Sequence, residues 1–425
     1  VEIHLKSCFE EPILNVMNFL NEVVLDYPEA VSFAPGRPAE GCFQVAETVA
    51  EMDRFVAHRE VGGGNSMGSL EALGQYNRTN GIIQELLARH LEVDEGIRVP
   101  AAAIQVTVGC QEAMAVLLMS LFEPGDVLLA SDPTYIGITG LARILNVAVE
   151  PVPAGPEGIT AEGFQAALER VRQRGQRPRA LYDVPDFNNP LGTTLPVPVR
   201  RALLEIAARE GVLIFEDNPY GMFAFDGPPA PTLKSMDEAG VVIYLGTVSK
   251  TLFPALRLGY LVADQRVGEE LLAVELSKVK SLTTVTTSPL IQAMVGGTLL
   301  RTGGSLRPLV EPKVALYRRN RDAMVAALER ELGDLPGVSW NRPAGGFFLT
   351  VNLPFAFDDD CLRHCAAAGV VVCPMTFFAL DPRGRERQIR LAFSYVTPEQ
   401  IDVGIVRLAG FLRGRLAAGE GGTGG

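Results

Sequence analysis

Between about residues 100 and 300 the chain alternates short apolar runs with longer segments whose apolar residues recur every three to four positions. IQVTV (104–108), DVLLA (126–130), GVLIF (211–215) and VVIYLG (241–246) have the length and the β-branched character of strands. EGFQAALERVRQ (162–173) and RALLEIAARE (201–210) have the period of amphipathic helices. Strands alternating with helices predict an α/β fold built on a mostly parallel, helix-covered sheet. Upstream, LEALGQYNRTNGIIQELLARHLE (70–92) reads as an amphipathic helix with a polar interruption. Downstream, EPKVALYRRNRDAMVAALERELG (311–333) reads as a long helix with opposite charges at helical spacing, leading into a C-terminal domain of helices on a small sheet. DCLRHCAAAGVVV (360–372) is expected to be a helix feeding a strand, and the Gly-rich end to be disordered. The division expected is an arm and loop over 1–45, a large domain over 46–310, a smaller α+β domain over 311–415 that includes part of the arm, and a tail over 416–425. No internal repeat is visible.

Candidate chemistry sits at the ends of these strands, where open α/β sheets place their ligand sites. VVIYLGTVSK delivers Lys250 after the small hydroxyl residues Thr247 and Ser249, and Arg257 follows seven positions later. A lysine so placed, with hydroxyls and a cation nearby, suits an aldehyde cofactor bearing a phosphate, although a solvated strand end has the same look. GVLIFEDNPY ends in Asp217, which reads equally as a helix N-cap, and YDVPDFNNPLG carries Asn189 in what reads equally as a turn. IQVTVGCQEAMAVLLMSLF (104–122) runs from a strand through Gly109 into an apolar helix, whose first N–H groups form an anion site.

Taken together, NPLG, EDNPY, SKTLFPALRLGY and IRLAF resemble the pyridoxal-phosphate enzymes of the aspartate aminotransferase fold. Among these the chain is most similar to class I/II aminotransferases of the 2-aminoadipate and kynurenine type, and the matching motifs run from SFAPGRP (32–38) to IRLAFSY (389–395). The resemblance implies a type I fold, with a mostly parallel seven-stranded sheet in the large domain and a smaller C-terminal α+β domain. It implies pyridoxal 5'-phosphate held by Lys250 as an internal aldimine, with Asp217 as partner of the pyridine nitrogen and Asn189 and Tyr220 on the ring hydroxyl oxygen. It also implies Tyr135 stacked on the ring, and a phosphate cup made by Gly109, Cys110, Gln111, Ser249 and Arg257, with Thr247 as a further donor. Arg390 would grip the substrate α-carboxylate, with Gly36 and Asn189 beside it. A bidentate arginine–carboxylate pair fixes both position and orientation, so the Cα–H bond can be held perpendicular to the ring.

Composition changes this picture little. A net charge of −12 and a pI near 5.0 disfavour nucleic acid, and no basic stripe overrides the average. Mean hydropathy is +0.17, yet no uncharged apolar run is long enough to span a bilayer, and residues 1–30 lack the pattern of a secretory signal. Six cysteines are few for 425 residues and point to a reducing, cytoplasmic setting. Cys361 and Cys365 flank His364, but no second ligand pair accompanies them, so no metal is expected.

Two departures from the family pattern bear on specificity. Gly63, in EVGGGNSMGSLEAL, stands where relatives carry a tyrosine that reaches the neighbouring subunit's phosphate, and Asn65 or Ser66 are candidate substitutes. CPMTFF (373–378) replaces a usual glycine after the proline, and Met375, Phe377 and Phe378 read either as an apolar lining on the substrate side or as core. Arg37 reads either as a solvated loop arginine or as a side-chain or carboxylate contact near the entrance, and Arg387 as a solvated charge. The expected activity is transfer of an α-amino group from an L-amino acid to a 2-oxo acid by a ping-pong mechanism, in a homodimer. The alternatives are another reaction of the same cofactor (elimination, substitution, decarboxylation or oxidation) or a non-catalytic effector domain.

Overall fold

The computed structural model describes residues 3–11, 14–16, 18–19, 27–61 and 70–420. Its large sheet has eight strands among the described residues, in the spatial order Ile104–Thr107, Gly259–Val262, Val242–Thr247, Leu213–Asp217, Arg177–Asp183, Asp126–Asp132, Ala148–Gly155 and Gly158–Ile159. The five strands from Val242–Thr247 to Ala148–Gly155 are parallel to one another. Gly259–Val262 runs antiparallel to both of its neighbours, and Gly158–Ile159 is a two-residue hairpin arm added to the seven strands expected. The Ile104–Thr107 and Asp126–Asp132 strands are buried at every position, which is why they read as continuous apolar runs and not as alternating ones.

The covering helices follow local rules. Ala161–Gln173 starts where the Thr160 side chain accepts the Gly163 N–H, and it buries Phe164, Ala167, Leu168 and Val171. Val197–Glu210 has a proline in its first turn and stops at Gly211, whose φ of 66° suits the left-handed cap. The segment 70–92 departs from the continuous helix expected: a 3-10 turn, Glu71–Gly74, is followed by extended chain, and the α-helix covers Gln84–His90. Gly81 at φ 106° turns the backbone, and the Asn80 carbonyl accepts the Val106 N–H, so this stretch lies along the sheet edge.

The 26-residue helix Arg307–Leu332 leads to a second, four-stranded antiparallel sheet ordered Ser339–Trp340, Phe348–Asn352, Gln388–Ala392 and Cys373–Pro374. The Asp359–Ala367 helix feeds Val370–Val371, which pairs in parallel with Val31–Ser32. Phe33 extends that tie, donating to Val371 and accepting from Ala392. The segment carrying Gly36 and Arg37 is thereby held over the C-terminal ends of the large sheet's central strands. No described helix is long and apolar enough to cross a membrane.

Candidate active site

Of the thirteen residues to which the resemblance assigns cofactor or substrate contacts, twelve line one cavity of about 360 Å³, and Gly109 sits directly behind its Arg257 wall. Parallel strands explain the convergence. Arg177–Asp183, Leu213–Asp217 and Val242–Thr247 are neighbours pointing the same way, so the loops and ends carrying Asn189, Asp217 and Lys250 emerge side by side.

At the ring end, Asp217 is an acid at the end of its strand and not a helix cap. Its Oδ2 accepts the Tyr182 hydroxyl at 2.6 Å, whereas its Oδ1 is buried with no partner. Burial pushes this carboxyl up to about 6, against the pull of Tyr182, Cys110 and Lys250. Burial is also the first cause of the raised pKa values of Tyr135, Tyr182 and Cys110, and the Asp217 charge is the second. These three groups therefore stay neutral around one carboxylate. Tyr135 begins the helix Ile136–Ile144, and a side chain at Gly137 would strike its ring and Gln111, so this glycine is required by close approach.

Lys250 donates to the Gly36 carbonyl at 3.0 Å. Its pKa is lowered to about 8 by burial first, then by Arg257, Arg390 and Arg37. The turn that carries it is held from the long helix: Lys313 Nζ donates to the carbonyls of Thr251 and Leu252 at 2.5 and 2.9 Å.

At the other end, helix Gly109–Leu121 opens with Gly109 at φ 68°. A Cβ there would lie 2.7 Å from Arg257 Nη2, and one at Gly259 would lie 2.8 Å from the Cys110 nitrogen. Thr247 Oγ1 lies 3.0 Å from Ser249 Oγ and accepts the Ser249 N–H. Glu112 pins the turn by accepting the Val108 N–H at 2.6 Å, and is itself held by Lys280. Arg257 has no carboxylate partner among the described residues, and its φ of 45° places it in the left-handed region. Helix N–H groups, a hydroxyl and a guanidinium converging on a glycine cradle suit a phosphate dianion. The orphaned Asp217 Oδ1 suits a protonated ring nitrogen, and the partly deprotonated Lys250 amine suits an aldehyde. The residues present thus fit pyridoxal phosphate.

Arg390, on Gln388–Ala392, is buried between the rings of Phe348 and Phe378, with its guanidinium carbon 4.4 and 4.6 Å from their centroids. Nη1 donates to Asn189 Oδ1 at 2.7 Å, Nη2 donates to the Ala34 carbonyl, and Nε has no partner. Tyr220 packs edge-on against Phe347 and Phe348. Gly36 must be a glycine, since a Cβ there would lie 2.3 Å from Phe348 Cζ.

Several expectations change. Met375, Phe377 and Phe378 do not line the cavity: Met375 is core, Phe377 meets Phe19 edge to face at 5.5 Å, and Phe378 stacks on Arg390. Arg37 lines the cavity, and Arg387 is exposed. Cys361 and Cys365 are buried in their helix, and no metal-ligating cluster occurs among the described residues. Gly63, Asn65 and Ser66 lie outside the described residues. The sequence reading missed Tyr182, Lys313, Phe43 and Tyr395. Tyr182 and Lys313 look like ordinary core and helix positions, and Phe43 and Tyr395 join the cavity wall only through the tertiary fold.

The family Aminotransferase class I and II matches residues 57–408. The chain is 43% identical over 420 residues to (S)-3,5-dihydroxyphenylglycine transaminase of Amycolatopsis orientalis, covering 97% of this chain and 94% of that protein. It is 31% identical to aromatic-amino-acid aminotransferase 1 of Thermococcus litoralis over 96% of this chain and 97% of that one. The crystal structure of Pyrococcus horikoshii kynurenine aminotransferase superposes with a TM-score of 0.85 at 28% identity, covering 97% and 98% of the two chains.

Proposed function

Because the chain belongs to the class I and II aminotransferases and is a pyridoxal-phosphate-dependent enzyme that exchanges amino and oxo groups between amino acids and 2-oxo acids, we propose that its donor is an aromatic L-amino acid with the ring close to Cα. The observation that carries this reading is Arg390, a buried guanidinium without a carboxylate partner among the described residues, facing the same cavity as Lys250. A substrate carboxylate supplies the missing anion and fixes Cα near the lysine. What remains for the side chain is bounded by Phe43 and Tyr395, with Arg37 and Glu40 as polar groups for ring substituents. The relative that acts on a dihydroxyphenylglycine supports the same size and chemistry.

When bound, the cofactor supplies a ring that accepts the electron pair left as the Cα proton departs. In our reading Lys250 would hold the cofactor's aldehyde carbon and, once released by the substrate amine, would serve as the base that takes the Cα proton. Asp217 holds the ring nitrogen protonated, and Asn189 and Tyr220 hold the ring hydroxyl oxygen. The N–H groups of Cys110 and Gln111, with Ser249, Thr247 and Arg257, would hold the phosphate. Arg390, Asn189 and Gly36 receive the carboxylate. The centroid of the Phe347 ring lies 5.7 Å from Lys250 Nζ. We further read the enzyme as a cytoplasmic homodimer in biosynthetic amino-acid metabolism. The family resemblance and the few, unpaired cysteines support this.

The test is a panel of phenylglycines, longer aromatic amino acids and aliphatic amino acids, offered with 2-oxoglutarate or pyruvate and followed by mass spectrometry. Arylglycines should give the highest kcat/KM, each converted stoichiometrically to its 2-oxo acid. Preference for aliphatic donors would overturn the donor assignment.

A further inference from the structure

Parallel pairing sets Tyr182 opposite Phe215 and Asp183 opposite Glu216. With the two-residue period of a strand, Tyr182, Phe215 and Asp217 share one face of the sheet, and Asp183 and Glu216 share the other. The Tyr182 phenol therefore extends along the sheet face toward the strand end, where its hydroxyl meets Asp217 Oδ2 at 2.6 Å. Tyr182 is fully buried, so water does not satisfy that hydroxyl. The carboxylate is thus divided. One oxygen is taken by the phenol and the other is left unpartnered at the cavity.

We propose that Tyr182 is a positioning residue for the reaction: its phenol, acting through Asp217 Oδ2, keeps that carboxylate ionised and turns Oδ1 toward the ring nitrogen. The proposal rests on the reading of Asp217 as the partner of that nitrogen. A short, charge-assisted bond stabilises the anion more than the acid, so removing it raises the carboxyl's pKa. Burial already works in that direction, and the Tyr182 bond is the strongest influence opposing it. Tyr182 itself stays protonated, since burial and the Asp217 charge both hold its pKa far above the ordinary value. It remains a donor throughout.

The experiment measures the affinity of apo-protein for pyridoxal phosphate against pH, taking the ratio to Asp217→Asn at each pH so that the titrations of Lys250 and of the phosphate cancel. In the wild type this ratio should fall as pH drops through the Asp217 titration. In Tyr182→Phe the fall should begin about one pH unit higher, the size expected for losing one hydrogen bond to a charged group. Fluorinated tyrosine at position 182, a stronger donor of nearly the same shape, should move it lower and guards against a Phe variant that folds poorly. In the Asp217→Asn background, Tyr182→Phe should change nothing that depends on pH. An unshifted midpoint in both Tyr182 variants, or an affinity loss that is uniform with pH and persists in the Asn background, would overturn the positioning role and leave Asp217's role standing. A flat ratio in the wild type would overturn the Asp217 assignment, and the proposal with it.

Discussion

Two arginines, one in the structural core and one in the active site, are withdrawn from water to the same degree yet face opposite surroundings. Arg200 is 0% exposed and Arg390 is 2% exposed. Arg200 donates to both oxygens of Asp186, at 2.5 and 3.2 Å, and to the carbonyls of Leu195 and Pro231. Arg390 meets an amide oxygen, a backbone carbonyl and two aromatic faces, and no carboxylate among the described residues. The first region is electrically complete, and the second keeps an unbalanced positive charge. Burial alone therefore does not mark a site; a buried charge that lacks its counter-charge and also faces a cavity does, whereas Lys313, equally without a carboxylate, is used up on the Thr251 and Leu252 carbonyls away from the cavity. The lysines repeat the contrast. Lys280 has Glu112 and Lys234 has Asp264, while Lys250 has a single backbone carbonyl.

Substituting the two arginines separates the regions most sharply. Arg390→Met should lower kcat/KM about 100-fold or more, because the donor loses its orientation, while leaving the denaturation midpoint near wild type. Arg200→Met should do the reverse, destabilising the fold by about 3–5 kcal/mol by stranding Asp186, with normal kcat/KM per folded molecule. Replacing Asp186 with leucine in the Arg200→Met background should restore most of that stability. Steady-state kinetics and urea unfolding read both effects, and the contrast fails if Arg390→Met unfolds as readily as Arg200→Met.

The lysine contrast sharpens with pH. Lys250, held at about 8 against 10.5 for an ordinary lysine, gains its reactive neutral amine as pH rises through about 8. The rate at which apo-protein takes up pyridoxal phosphate should rise over that range. A rise delayed to the ordinary lysine range would place the amine outside the cationic cavity.

The smallest effect is a stability difference of the opposite sign from that of Arg200→Met. Asp217 has a folded-state pKa of about 6, above its ordinary 3.8. Its contribution to apo-protein stability is therefore fully present below about 3.8 and is lost as pH rises through about 6. Apo Asp217→Asn should consequently be more stable than apo wild type at neutral pH, by about 2–3 kcal/mol, with the advantage shrinking in acid. Thermal unfolding of the two apo-proteins across pH checks this, and an Asn variant less stable at neutral pH would contradict it.

These contrasts also show what could be read before the fold was known. Strand ends were legible because the strands are buried on both faces and so appear as apolar runs that stop at Asp217 and Lys250. Arg390 was legible from its motif, but its state was not, since the Phe348 and Phe378 faces reach it only through strand pairing in the small sheet. Phe378 accordingly read equally as pocket lining or as core. Tyr182 was hidden for the same kind of reason. On its own strand it is one more aromatic core residue, and only the register with Leu213–Asp217 gives its hydroxyl a partner. The 70–92 helix was read as too long because apolar residues resume at helical spacing after the polar interruption; at Asn80 and Gly81 the chain instead turns and bonds the sheet edge before the helix begins at Gln84.

The claim on which the rest depends is that Lys250 is the lysine bonded to the cofactor. Borohydride reduction of the purified holoenzyme, followed by proteolysis and peptide mass spectrometry, tests it directly. A phosphopyridoxyl group should be found on Lys250, and none on any peptide of Lys250→Ala; a label on Lys313, Lys280 or another lysine, with Lys250 unmodified, would overturn the assignment.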